Sequence, residues 1–158
     1  MAYRNVFFSF EWNTDVWRAM IVRNCGQLYG AHSAGFRPAS EIEEVKRRGE
    51  DAIRRWIDSQ LEGTTVTVVL LGATTNQSKW VNYECGASLR RENGIVLIDI
   101  SSIPDRNGHL TTFGGLPDGW STTSSGATSP YLFETWDTRH SPQQFGTWVE
   151  QAARNVGK

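Results

Sequence analysis

The run Val66-Thr67-Val68-Val69-Leu70-Leu71 restricts the fold more than any other part of this chain. It is short, β-branched and apolar at both alternating sets of positions, so it reads as a strand with no face left for water. Such a strand must lie inside a sheet covered on both sides, and that calls for a parallel sheet with crossover helices. The segment after it supplies one. Ser78 is an N-cap residue type, and the pattern from there runs as a helix through Leu89, ending near Gly94.

The same alternation extends along the chain. Val6 to Phe10 is predicted as the first strand, followed by a helix capped by Asn13 or Thr14 with Val16, Met20 and Leu28 toward the core. Ala31 to Phe36 offers a short edge strand. Ser40-Glu41-Ile42-Glu43 has the form of a capping box, and the helical pattern behind it continues through Ile53, Trp56, Ile57 and Leu61 to Gly63, with Gly49 as a possible break. Ile95 to Ile100 and Tyr131 to Glu134 are further strands, and Pro142 to about Val156 forms the last helix. Strands alternating with helices predict α/β architecture with right-handed parallel βαβ units. The expected unit is one domain over 1–158, interrupted by a Gly-, Ser-, Thr- and Pro-rich stretch from Ser101 to Pro130. A loop of that length is expected to be a mobile cover over a site.

Charge excludes some classes of function. Sixteen basic residues balance 17 acidic ones to a net charge of −1, with no long basic run, so no nucleic-acid footprint is expected. Cys25 and Cys85 have no metal or CxxC spacing and read as buried free thiols in a reducing compartment. His32, His109 and His140 are scattered, so no metal is expected. No long apolar segment occurs and a strand begins almost at once, which argues against a membrane span or signal peptide and for a cytoplasmic protein. Among the seven Trp, Trp12, Trp120 and Trp136 stand in polar or loop contexts, as rings that half-cover a core.

If the strand order is flavodoxin-like, 2-1-3-4-5, the winding reverses between the first and third strands, and ligands bind outside their carboxyl ends. The loop Glu11 to Asp15 and the turn Gly72 to Trp80 then flank one cleft. Trp80 and Glu84, four apart, share a helix face above it. A receiver domain's acidic cluster and a flavodoxin's phosphate loop are both missing from Ser9-Phe10-Glu11-Trp12, and no GxGxxG or Walker A sequence occurs.

Val6-Phe7-Phe8-Ser9-Phe10 with Asp15-Val16-Trp17-Arg18 resembles the opening strand and first loop of TIR domains. Arg54-Arg55-Trp56-Ile57, the run Gly63 to Gly72, and Ser78-Lys79-Trp80-Val81-Asn82-Tyr83-Glu84 are similar to the TIR-like family that includes the TIR protein of the bacterial Thoeris anti-phage system. The likeness reaches Ile100, about two thirds of the chain. It implies a flavodoxin-like three-layer α/β/α fold around a five-stranded parallel sheet. It also implies NAD+ cleavage with release of nicotinamide, yielding a cyclic ADP-ribose isomer as second messenger. That product would activate an effector protein after a phage-derived trigger, with the chain a homo-oligomer when active. By this resemblance Glu84 is the catalytic glutamate. Ser9, Phe10, Glu11, Ser78 and Trp80 border the substrate, joined by Asp15 and Arg18. The family's interface loop falls at Ala34 to Ser40. Many NAD-cleaving TIR domains carry a basic residue where this chain has Glu11, and Arg18 is the substitute in reach of that loop. NAD+ is then substrate, with no other cofactor.

The residue types suit the reaction. Nicotinamide leaves a riboside as a neutral molecule, so the second carboxyl group that protonates a leaving oxygen in ordinary glycoside hydrolysis is not needed. An ionised Glu84 can hold the ribose hydroxyls and offset oxocarbenium charge, while Phe10 and Trp80 offer ring faces to a cation or a purine. Each residue also has an ordinary reading: Phe10 as core, Asp15 as a helix-dipole partner, Arg18 and Arg23 as solvated, and Glu84 as a margin residue beside the buried stripe Val81, Cys85 and Leu89. Two other functions fit a TIR-like sheet. One is a non-catalytic adapter acting by self-association, and the other a nucleoside ribosyltransferase with a glycosyl-enzyme intermediate.

Overall fold

The computed structural model describes residues 4–28, 31–34, 39–120 and 131–158. The elements run β1 (Arg4–Ser9), α1 (Trp12–Leu28), β2 (Ala31–Ala34), α2 (Ala39–Arg47), α3 (Glu50–Leu61), β3 (Val66–Leu71), a 3-10 turn (Thr75–Gln77), α4 (Lys79–Arg90), β4 (Gly94–Asp99), β5 (Tyr131–Thr135) and α5 (Ser141–Asn155). The strands form one parallel sheet in the order β2-β1-β3-β4-β5. The chain therefore steps outward from β1 to β2, returns to β3 on the other side of β1, and continues in that direction.

All six β3 residues are buried, as its composition demands. Val66, Val68 and Leu70 join Val6, Phe8, Val96 and Ile98 beneath Ala19 and Val22 of α1 and Phe145, Val149 and Ala152 of α5. On the opposite face Val69 and Leu71 meet Val81 and Cys85 of α4, while Phe7 packs under Ile57 and Leu61 of α3. Thr67 brings a hydroxyl into this dry strand, and that group is satisfied by Ser88 Oγ at 2.7 Å and by Asn93 Nδ2, which donates at 3.2 Å.

Several expectations need correction. β1 begins two residues earlier and stops at Ser9, although Phe10 just beyond it is still buried. α1 begins at Trp12, and its inner face carries Asp15, Arg18, Ala19 and Val22, leaving Met20 exposed. Small Ala19 lets the helix lie close to the sheet, and the polar pair is neutralised internally, so hydrophobicity alone misplaced the face. Leu28, His32 and most of the Ala34–Ser40 interface region lie outside the described residues or side chains. Ser40 is already inside α2, and Glu41 accepts a hydrogen bond from Trp56 Nε1 at 3.2 Å, so no capping box forms. Gly49 does divide the helical pattern: it stands before α3 with φ at 98°, a left-handed backbone that glycine adopts without a side-chain clash. Leu89 is exposed and ends the buried stripe early. Trp136, expected to half-cover the core, is fully enclosed beside Phe145.

The stretch after β4 also departs from a mobile cover. Arg18 donates to the carbonyls of Ile103 (2.7 Å) and His109 (2.9 Å), the Gly114 amide bonds Gly72 O, and the Asp118 amide bonds Asn82 Oδ1. Residues 101–120 are thus tied down by backbone bonds from three directions; 121–130 lie outside the described residues.

Candidate active site at the winding reversal

β1 and β3 are hydrogen-bonded neighbours whose following segments, α1 and the turn into α4, part company at their carboxyl ends. A cavity partly open to solvent lies there. Its floor and near wall come from Phe8 of β1, from Phe10, Glu11 and Trp12 just after it, and from Ser78, Trp80, Val81 and Glu84 at the start of α4. α2 and α3 complete it with Ile42, Val45, Lys46, Ile53, Trp56 and Gln60.

Ser78 caps α4, accepting from the Val81 amide at 3.3 Å, and this fixes where the helix begins. Trp80 and Glu84 then emerge one turn apart on the side that faces β1. Glu84 reaches across the gap so that Ser9 Oγ donates to its Oε2. Burial drives the Glu84 carboxyl up to about 8; the Ser9 bond pulls it down, and the charge of Glu11 pushes it up further. With no cation beside it among the described residues, the carboxyl is pushed toward its protonated form, where an ionised one was expected.

The aromatic residues are arranged around that acid. Phe10 and Trp12 meet at a tilt, with centroids 5.1 Å apart and planes 36° from parallel. Trp80 lies with Lys79 Nζ 5.1 Å and the Arg54 guanidinium 5.9 Å from its ring centre, and Tyr83 meets it edge-on at 6.1 Å. Lys79 and Arg54 are in turn held by Glu50.

Six of the eight residues singled out from the sequence converge here: Ser9, Phe10, Glu11, Ser78, Trp80 and Glu84. Ser9 meets the acid rather than the open space, being itself fully buried. Asp15 and Arg18 do not line the cavity. Their side chains form a buried ion pair at 3.2 Å, with Arg18 turned toward 103–109, so neither is a solvated or substrate-facing group. Asn82 and Tyr83 also point elsewhere, to Asn76 O and to the Asp58 carboxylate. The α2–α3 wall was missed as part of a site. Its signal was present in the apolar spacing of Ile42, Val45, Ile53 and Trp56, which reads equally well as plain core packing. Among the described residues, no group of three or more His, Cys, Asp or Glu could hold a metal ion.

Residues 7–105 match the family described as "Thoeris protein ThsB, TIR-like domain". The chain belongs to the ThsB TIR-like family. Among curated proteins it is similar to "Putative cyclic ADP-D-ribose synthase ThsB1" of Bacillus cereus (strain MSX-D12), with 34% identity over 116 residues. That alignment takes in 72% of this chain and 60% of the relative, so the chain spans less than two thirds of the length of the protein it matches. The ThsB TIR-like match contains the end of β1 from Phe7, the whole α2–α3 wall and α4, and hence every residue of the cavity just described. No helix among the described residues is long and apolar enough to cross a membrane.

Proposed function

We propose that this ThsB TIR-like protein cleaves NAD+ between nicotinamide and ribose and joins the ADP-ribose product into a cyclic isomer that serves as a messenger in anti-phage defence. The observation that carries this reading is Glu84, a carboxyl group drawn into an aromatic-lined cavity at the reversal of the sheet and held by the Ser9 hydroxyl. The name of the Bacillus cereus relative supports the same substrate and product class.

In the reaction the C1′–N bond breaks and its electron pair returns to the pyridinium ring, so nicotinamide departs neutral with no proton required. Positive charge develops at C1′ and the ring oxygen. Glu84, ionised in the complex, opposes that charge and accepts the ribose hydroxyls. The positively charged nicotinamide ring itself favours this ionisation, since a cation beside a carboxyl lowers its pKa. Phe10, Trp12 and Trp80 supply ring faces. Closure follows when a nucleophilic atom of the same ADP-ribose attacks C1′, and water must be kept away meanwhile. Among the described residues, 101–120 do not line the cavity, and α2 and α3 are the elements that cover it.

We read residues 1–158 as one flavodoxin-like, three-layer TIR-like domain in the cytoplasm. Its partners in this reading are NAD+, an effector reached through the diffusible product, a phage-derived trigger, and further copies of itself. The test is chromatographic. Purified protein, with and without lysate of phage-infected cells, releases nicotinamide and a cyclic product from NAD+, and Glu84→Gln, still folded by circular dichroism, releases none. Intact NAD+ under every condition, or equal turnover by the variant, refutes the proposal.

A further inference from the structure

The proposed substrate carries two negative phosphates, yet the described lining of the cavity contains two acids, Glu11 and Glu84. A pyrophosphate entering beside them needs a countercharge. Arg18 was the expected source, but it is committed: it pairs with Asp15, donates to Thr14, Ile103 and His109 carbonyls, and is 5% exposed. Lys46 is the one cationic side chain among the described residues that line the cavity. It stands in the last turn of α2, one residue from Val45 and one helical turn from Ile42, which line the same wall. Its ion pair with Glu43, 3.5 Å long and about half exposed at both ends, is of the kind that salt and water readily exchange. An ammonium on a long flexible stem is suited to follow a phosphate as a point charge.

We infer that Lys46 is the pyrophosphate anchor of this site, a specificity-determining residue through which α2 selects a dinucleotide over a nucleoside. The inference rests on the NAD+ reading above, and two ligands separate the two claims. NAD+ and nicotinamide riboside share the nicotinamide and its ribose, and only NAD+ has the pyrophosphate. Binding of each to wild type, Lys46→Met and Lys46→Arg is followed through cavity tryptophan fluorescence, with nicotinamide release measured in parallel. Lys46→Met keeps the apolar stem, and the position is exposed, so the fold stays intact. The expected result is about tenfold weaker NAD+ binding in Lys46→Met, with nicotinamide riboside unchanged and Lys46→Arg close to wild type. KM for NAD+ rises while kcat holds, because the anchor grips ground state and transition state alike. Equal losses for both ligands, no loss for either, or no binding of NAD+ to wild type overturns the anchor. Lys46-dependent NAD+ binding without nicotinamide release sinks the enzymatic reading and leaves the anchor standing. Nicotinamide release whose KM for NAD+ is indifferent to Lys46 does the reverse.

Discussion

Asp15 and Glu84 both stand just past strand ends, one in the helix after β1 and the other in the helix after β3, and burial raises the pKa of each carboxyl. Their surroundings then diverge. Asp15 has Arg18 at 3.2 Å, and its Oδ2 abuts Gly72 so closely that a Cβ there would lie 2.3 Å away. The pair is sealed and spends its remaining donors on the chain from 103 to 109. Glu84 is given a hydroxyl in place of a cation, one side of it opens on the cavity, and the nearby charge of Glu11 is the wrong sign to settle it. A buried acid next to arginine holds a structure together. A half-buried acid left without a counterion costs stability and is poised to meet a cation brought from outside.

Substituting either partner separates these roles. The largest effect falls on activity in Glu84→Gln: nicotinamide release drops by about a thousandfold or more, while stability does not drop. The folded carboxyl holds its proton up to about pH 8 and the unfolded one only to the ordinary range near 4.5, so wild type loses stability as pH climbs between those values. The glutamine variant has no such slope, and its melting temperature overtakes that of wild type above neutrality. A parallel decline in both proteins would erase the contrast. Arg18→Met has the opposite profile. It strands Asp15 and frees 103–109, and urea unfolding registers a loss of about 3–5 kcal/mol. A loss below about 1 kcal/mol would mean that the pair is not the fastening described.

Ser9→Ala sharpens the distinction further. Its hydroxyl is what pulls the Glu84 pKa down, so without it the rising limb of kcat/KM moves to higher pH. Activity at pH 7 falls about tenfold and recovers at alkaline pH. A uniform loss at every pH would assign Ser9 to the substrate instead. The smallest shift belongs to Glu11→Gln, which removes a repelling charge and slides the same limb toward lower pH by a fraction of a unit, on the order of 0.5. Movement the other way would mean that Glu11 does not repel the acid.

Composition made the central features readable. The β3 run could be nothing but an interior strand, Ser78 announced the start of α4, and helical spacing then put Trp80 and Glu84 over the reversal point. Asp15 and Arg18 were opaque because a charged residue is ordinarily solvated, and only the pairing of two such residues, visible in space, licenses their burial. The α2–α3 wall eluded the same reasoning, since Ile42 and Val45 look alike whether they face a core or a hollow. Residues 101–120 carry loop composition and are nevertheless fixed, because backbone carbonyls there meet a guanidinium whose position no local pattern records.

Ser9 and Glu84 are 75 positions apart, yet one proton lies between them. A growing polypeptide on the ribosome has the serine long before it has the glutamate, and neither is of use until the third strand has zipped onto the first. An enzyme of the proposed kind therefore has no working site while it is being made, and acquires one only when the helix that follows the third strand is in place.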